Sequence, residues 1–115
     1  MRLIVCGGRT YRDRAAVFAA LDRAHAKRPI TLLIYGGARG ADDLAFAWAA
    51  AHGVPSQVVI AKWDRLGPAA GPERNGRMIR EWRAEGVIAF PGGRGTADMV
   101  RQAEAAGLPV WKPYG

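Results

Sequence analysis

Five short apolar runs alternate with longer segments of helical pattern along the chain. The apolar runs predict β-strands at residues 2–6, 30–35, 56–61, 86–90 and 109–111. Apolar residues at helical spacing predict helices near residues 13–27, 41–52, 73–84 and 95–106. Strands that read as continuous apolar runs are covered on both faces, and right-handed crossovers place the helices there. The pattern therefore predicts one minimal Rossmann-like, doubly wound α/β domain over residues 1–115, with about five mostly parallel strands.

The composition fits a single globular domain with a buried core, because half of the 115 residues are hydrophobic. The longest apolar runs, such as TLLIY at 31–35, fall far short of the roughly 20 residues that a membrane-spanning helix needs. The first residues, MRLIVCGG, enter a strand pattern directly and show no cleavable signal. A single cysteine excludes an internal disulfide framework. We therefore expect a cytoplasmic protein with no membrane partner.

Positive charge is the strongest global signal in the composition. Lysine and arginine number 17 against 10 acidic residues, for a formal net charge of +7. Most of these cations are arginines, whose planar guanidinium can make two hydrogen bonds to a phosphate or a carboxylate. The excess favours an acidic or phosphorylated partner, although a solvated basic surface would have the same composition. The positions of the arginines distinguish these two interpretations.

Four loops follow the predicted strands, and three of them carry a glycine pair followed by an arginine. The loops are GGRTYRD (7–13), GGARGADD (36–43), KWDRLGPAAGPERN (62–75) and PGGRGT (91–96). Their arginines include Arg9, Arg39, Arg65, Arg74 and Arg94. In open α/β sheets ligands bind outside the carboxyl ends of the strands, where glycines and helix N-termini bring backbone N–H groups to an anion. The clustering therefore predicts an anion or nucleotide site at this edge of the sheet.

The predicted site draws on all four loops, but from the third loop it takes only the last two residues, Arg74 and Asn75. The expected phosphate-binding residues are Gly8, Arg9, Thr10, Gly37, Arg39, Gly40, Gly92, Gly93, Arg94, Gly95 and Thr96. Arg74 and Asn75 are expected beside the phosphate or the sugar, and Asp42 could accept a ribose hydroxyl. Asp42 and the similarly placed Asp13 and Asp43 could instead cap helices, because aspartate bonds to the free N–H groups of a first turn.

Neither a metal nor a cofactor is predicted. His25 and His52 lie in helical stretches without companion ligands at metal-binding spacing. Cys6 is predicted to be a small buried residue at the end of the first strand. Tyr11 and Trp63 lie in loops at the predicted binding edge, where an aromatic ring either stacks on a base or closes the loop over the core.

The loop motifs resemble those of a known superfamily. The segments GGRTYRD, GGARGADD, GPERNGRM and FPGGRGTADM, in this order, are similar to a YspA-type, cpYpsA-related member of the SLOG superfamily. This superfamily is related to the LOG proteins, also called lysine-decarboxylase-like proteins, whose enzymes cleave the N-glycosidic bond of nucleoside monophosphates. It also includes the Rossmann domain of the DNA-processing protein DprA. The resemblance implies binding of a nucleoside phosphate or of an ADP-ribose-like, nucleotide-derived molecule.

The catalytic pattern of the LOG enzymes is only partly present. Residues 91–96 match its proline, two glycines, variable residue, glycine and threonine. Met99 occupies the place of the LOG catalytic glutamate, and Asn75 occupies the place of a lysine. Arg74 matches the catalytic arginine, so the resemblance implies Arg74 as a catalytic residue. It assigns no acid.

Asp98 is one candidate for the missing acid. Neighbouring residues of a helix point about 100° apart, and Met99 shares an apolar stripe with Ala103, so Asp98 is expected to face away from the core. A carboxylate in the first turn of a helix also has a purely structural role, because it interacts favourably with the helix dipole. Asp64 and Glu73 are further candidates that no motif aligns.

Three functional hypotheses follow. The leading one is binding of a nucleotide or nucleotide-derived ligand at the strand ends. The second is an N-glycosidase of the phosphoribohydrolase kind that uses a carboxylate at another position. The third is a nucleic-acid-binding module, which ranks last because basic and aromatic residues do not interleave along the sequence. A homo-oligomer is expected only by analogy with related proteins.

Overall fold

The fold is a five-stranded parallel sheet with helices on both faces. The computed structural model describes residues 1–114, so Gly115 of the predicted domain lies outside the described residues. The strands are β1 (Arg2–Cys6), β2 (Leu32–Tyr35), β3 (Ser56–Val58), β4 (Gly86–Ala89) and β5 (Val110–Trp111). They pair in the order β3-β2-β1-β4-β5, and each neighbouring pair is parallel. The predicted α/β Rossmann-like class is confirmed.

Five α-helices within residues 1–114 connect the strands. They are α1 (Arg14–Lys27), α2 (Ala41–Ala51), α3 (Trp63–Leu66), α4 (Ala70–Arg80) and α5 (Arg94–Ala105). Within β1, Leu3 and Val5 pack in the same apolar cluster as α1 and α2, whereas Ile4 packs in the cluster of α4 and α5. Successive strand residues point to opposite faces, so both faces of the sheet are buried. This explains why the strands read as continuous apolar runs.

The third loop region differs from its predicted form. The helix expected near 73–84 begins at Ala70 and ends at Arg80, and α3 together with a 3₁₀ turn at Gly67–Ala69 precedes it. Pro72 lies in the first turn of α4, where no intrahelical bond needs its missing N–H group. Because of the glycines and prolines in this segment, the sequence pattern does not predict that α4 begins at Ala70. The strand β3 also ends at Val58 rather than at residue 61.

The strand order places a crevice at the centre of the sheet. From β1 the chain proceeds through β2 and β3 towards one edge, and then returns to build β4 and β5 on the other side of β1. The loops after β1 and β4 consequently diverge to opposite faces, which is the point where doubly wound sheets bind ligands. None of the helices within residues 1–114 is both long enough and apolar enough to cross a bilayer.

Candidate anion-binding cleft

A cleft of about 350 Å³ lies at the carboxyl ends of the central strands. Its lining includes nine of the predicted binding residues: Gly8, Arg9, Asp42, Arg74, Asn75, Gly93, Arg94, Gly95 and Thr96. It also includes Cys6, Gly36, Trp63, Gly71, Met78 and Met99. The predicted residues outside the lining are Thr10, Gly37, Arg39, Gly40, Gly92 and Asp98. The fold thus gathers the first, second and fourth glycine loops and α4 around one space.

The N-terminus of α5 supplies free donors to this cleft. Gly93 is the residue before the helix, and no side chain caps the helix end. The first intrahelical bond runs from Ala97 N to Gly93 O, at 3.0 Å. The N–H groups of Arg94, Gly95 and Thr96 therefore have no intrahelical acceptor. These donors and the helix dipole favour an anion here, and the exposed Arg94 side chain adds a full positive charge.

Arg74 is held in place by the backbone of the neighbouring strand ends. Its Nη1 donates to Gly36 O at 2.8 Å, and its Nε donates to Asn75 Oδ1 at 3.1 Å. Within residues 1–114, these bonds leave Nη2 without a protein acceptor. Burial lowers the pKa of Arg74, while the nearby Asp42 opposes that shift. The guanidinium is thus a fixed cation with one nitrogen available to a ligand.

Gly36 makes room for this arginine. A Cβ atom at position 36 would lie 2.5 Å from Arg74 Nη1, closer than any real contact. The sequence pattern does not single out Gly36, because its role depends on a residue 38 positions further along the chain. The glycine pair at 36–37 indicates that a small residue is needed here, but only the fold shows that Arg74 is the neighbour that needs the space.

Asn75 connects the two cationic parts of the cleft. Its side chain is buried, and Nδ2 donates to Gly95 O at 3.2 Å and to Asp98 Oδ2 at 2.9 Å. Because Oδ1 accepts from Arg74 Nε, every polar atom of the amide has a protein partner. The contact of Asn75 with a ligand stays a prediction, since Asn75 lines the cleft, and its bonds also position Arg74 and the first turn of α5.

Asp98 was expected to lie in the first turn of its helix and to face away from the core, and both expectations are wrong. Asp98 is buried, at 6% exposure, and it lies beyond the first turn of α5, which contains no acidic residue. Its carboxylate accepts hydrogen bonds from Asn75, from Gln102 at 2.8 Å and from Arg101. The reason is that α4 packs against α5 and brings an amide donor to this side of the helix. The carboxylate is therefore a structural acceptor that lies outside the cleft.

Asp42 is the buried carboxylate that does line the cleft. Its Oδ2 accepts from Gly36 N at 3.0 Å and from Ala38 N at 3.1 Å, so the side chain closes the preceding loop rather than capping its own helix. Burial raises the pKa of Asp42 to about 6, against the opposing effects of these hydrogen bonds and of Arg74. Asp13, by contrast, caps α1 as predicted, by accepting from Ala16 N at 3.0 Å.

Three of the predicted glycines make close contacts between loops. Gly8 N donates to Pro91 O at 2.9 Å, and Gly8 O accepts from Ala41 N at 3.2 Å. Gly40 has φ of 75°, and a Cβ there would lie 2.3 Å from Gly8 O. A Cβ at Gly92 would lie 2.2 Å from Thr96 Oγ1. The small size of Gly40 and Gly92 thus permits contacts between loops, while phosphate binding by Gly8, Gly40 and Gly92 stays a prediction.

The two loop aromatics have different surroundings. Tyr11 stacks on Phe90, with ring centroids 5.6 Å apart, and closes its loop over the core. Trp63 lines the cleft and remains 49% exposed.

Cys6 also lines the cleft, but burial raises its thiol pKa to about 12, so the thiol is neutral. Residues 1–114 contain no cluster of three or more potential metal ligands.

The parallel sheet and its arginine-lined switch-point cleft define the class of this protein as Rossmann-like α/β. The family model of the YspA, cpYpsA-related SLOG family, YAcAr, matches residues 1–66. The chain is also similar to the Gene 61 protein of Mycobacterium phage D29, with 38% identity over 117 residues that cover 95% of this chain and 93% of the phage protein. The chain belongs to the YspA, cpYpsA-related SLOG family, and this membership indicates nucleotide-related ligand binding in general.

Proposed function

We propose that this protein binds a nucleoside phosphate or a related nucleotide-derived ligand in the switch-point cleft. The observation that carries the proposal is that three arginines, Arg9, Arg74 and Arg94, line the same cleft as the uncapped N-terminus of α5. The phosphate lies at the free N–H groups of α5. The guanidinium of Arg74 lies deeper in the cleft, beside the phosphate or the sugar.

The arginines dominate the affinity in this arrangement. A helix N-terminus contributes about 0.3 to 1 kcal/mol to anion binding, and up to about 2 kcal/mol when it is partly buried. Each hydrogen bond to a charged group contributes about 1.5 to 3 kcal/mol. Because Arg74 is already fixed by Gly36 O and Asn75, it loses little conformational entropy when a ligand arrives.

Mass spectrometry of small molecules released from the purified protein tests the proposal directly. The expected result is a phosphorylated nucleoside derivative, which is then returned to fresh protein in calorimetry. A variant that combines Arg74→Ala and Arg94→Ala should bind this molecule at least a hundredfold more weakly, from about 1.5 kcal/mol or more per arginine. An unchanged affinity in that variant would contradict the placement of the ligand.

A second candidate function, hydrolysis of an N-glycosidic bond, is favoured by one observation. Such a reaction needs a carboxylate beside the sugar, and Asp42 lines the cleft with a raised pKa. Neither Asp64 nor Glu73 belongs to the lining, and Glu73 is bound to Arg77 at 2.8 Å. Release of free base from a nucleotide panel, lost in Asp42→Asn, would support hydrolysis. Base release no faster than without protein would exclude it for that panel.

A further inference from the structure

The lining of the cleft combines charged and apolar groups. It includes the cations Arg9, Arg74 and Arg94 together with the N-terminus of α5. It also includes Trp63, Met78 and Met99, of which the two methionines are buried in the core and Trp63 is exposed. A phosphate or a sugar phosphate would use only the cations and the helix N-terminus. An exposed indole ring beside an anion site instead fits a ligand that combines an anion with a flat apolar group.

Trp63 has the properties of an exposed stacking surface. It is the first residue of α3, and 49% of its surface is exposed. Its Cη2 atom lies beside the buried Gly71 of α4, 3.4 Å from the place of a Cβ at position 71. Neither apolar core cluster of the described residues includes Trp63, whereas Tyr11 packs against one of them. Folding of the core therefore does not explain a tryptophan at this position.

The size of the cleft limits the ligand further. Its volume of about 350 Å³ is close to the lower end of the range for small-molecule sites, about 300 to 1,000 Å³. A mononucleotide has one base, one sugar and one phosphate. A dinucleotide or an ADP-ribose molecule needs a second sugar phosphate, and often a second base, within the same space.

We propose that Trp63 stacks on the base of a mononucleotide whose phosphate lies at the N-terminus of α5, and that Trp63 makes the site select nucleotides over sugar phosphates. This inference rests on the proposed binding function and narrows its ligand class. Stacking on an aromatic side chain is tolerant of base identity, so purine and pyrimidine mononucleotides should both bind. The preference for a base-bearing ligand should be at least about tenfold.

Calorimetry with AMP, UMP, ribose 5-phosphate and ADP-ribose tests this inference on the full chain. We expect both mononucleotides to bind at least about tenfold more tightly than ribose 5-phosphate, and ADP-ribose to bind no better than AMP. In Trp63→Ala the advantage of the mononucleotides should fall to less than threefold, while Trp63→Phe should retain most of it. Ribose 5-phosphate should bind equally to all of these proteins.

Trp111→Ala is the matched control, because Trp111 is 38% exposed on β5 and outside the cleft, with Arg23 over its ring. It should leave all four affinities unchanged. Equal binding of AMP and ribose 5-phosphate, or an advantage that survives in Trp63→Ala, would overturn the role of Trp63. Tighter binding of ADP-ribose would overturn the mononucleotide class. If none of the four phosphates binds, the proposed function itself fails.

Discussion

Two loops with nearly the same sequence motif have different roles in this molecule. Residues 36–43, GGARGADD, use their N–H groups internally, because Gly36 N and Ala38 N both donate to Asp42. Residues 91–96, PGGRGT, contain the start of α5, an uncapped helix whose first N–H groups have no acceptor in the helix. The first loop is closed by its own carboxylate. The second is open to a ligand.

The difference lies in what each glycine contacts. A Cβ at Gly40 would overlap Gly8 O, whereas a Cβ at Gly93 or Gly95 would have no neighbour within 4 Å. The exposed Arg39 of the first loop lies outside the cleft, and Arg94 of the second loop lines it. A glycine pair followed by arginine therefore predicts a sheet-edge loop, but it does not by itself predict which loops bind an anion.

The largest effect expected from this comparison is on stability. In Gly40→Ala the new Cβ would meet Gly8 O at 2.3 Å, with φ at 75°, so the free energy of unfolding should fall by about 4 kcal/mol. Gly93→Ala is the matched control and should change it by less than about 0.5 kcal/mol. Urea denaturation measures both. Comparable losses in the two variants would show that the loops are not structurally different.

The second prediction concerns the carboxylate that closes the first loop. Burial raises the pKa of Asp42 from 3.8 to about 6, so its favourable contribution to folding is complete below pH 4 and is lost as the pH rises through 6. Among the neighbouring charges, Arg74 lowers this pKa and Asp43 raises it. The stability of the wild type should fall relative to Asp42→Asn by about 2 to 3 kcal/mol between pH 4 and 7. Parallel pH profiles of the two proteins would refute this.

The third prediction compares the equivalent arginines of the two loops. Arg94→Ala should weaken binding of ribose 5-phosphate by about 1.5 to 3 kcal/mol, roughly tenfold or more, because a charged hydrogen bond is lost. Arg39→Ala removes the same charge from the surface outside the cleft and should change the affinity less than threefold. Calorimetry at physiological salt measures both variants. Equal weakening would indicate that only the net charge matters.

The sequence predicted the features that depend on local pattern. The alternation of apolar runs and helical segments was sufficient for the parallel sheet, and the strand-end loops located the cleft. Contacts between distant segments were not predictable. Arg74 occupies the space that a side chain at Gly36 would fill, and the buried Asp98 accepts a hydrogen bond from the amide of Asn75 on another helix. Neither dependence leaves a periodic signal in the sequence, because it arises only when α4 packs beside β2 and α5.

The smallest predicted effect concerns the residue that links the open loop to Arg74. Asn75→Ala removes the acceptor of Arg74 Nε and the donor to Gly95 O, so both parts of the anion site lose orientation. Affinity for ribose 5-phosphate should fall about fivefold, or about 1 kcal/mol. A double-mutant cycle shows whether Asn75 acts through Arg74 or through the first turn of α5. If Asn75 acts through Arg74, its removal in an Arg74→Ala background should cost less than twofold. A full fivefold loss there would mean that Asn75 acts instead by holding the first turn of α5 open.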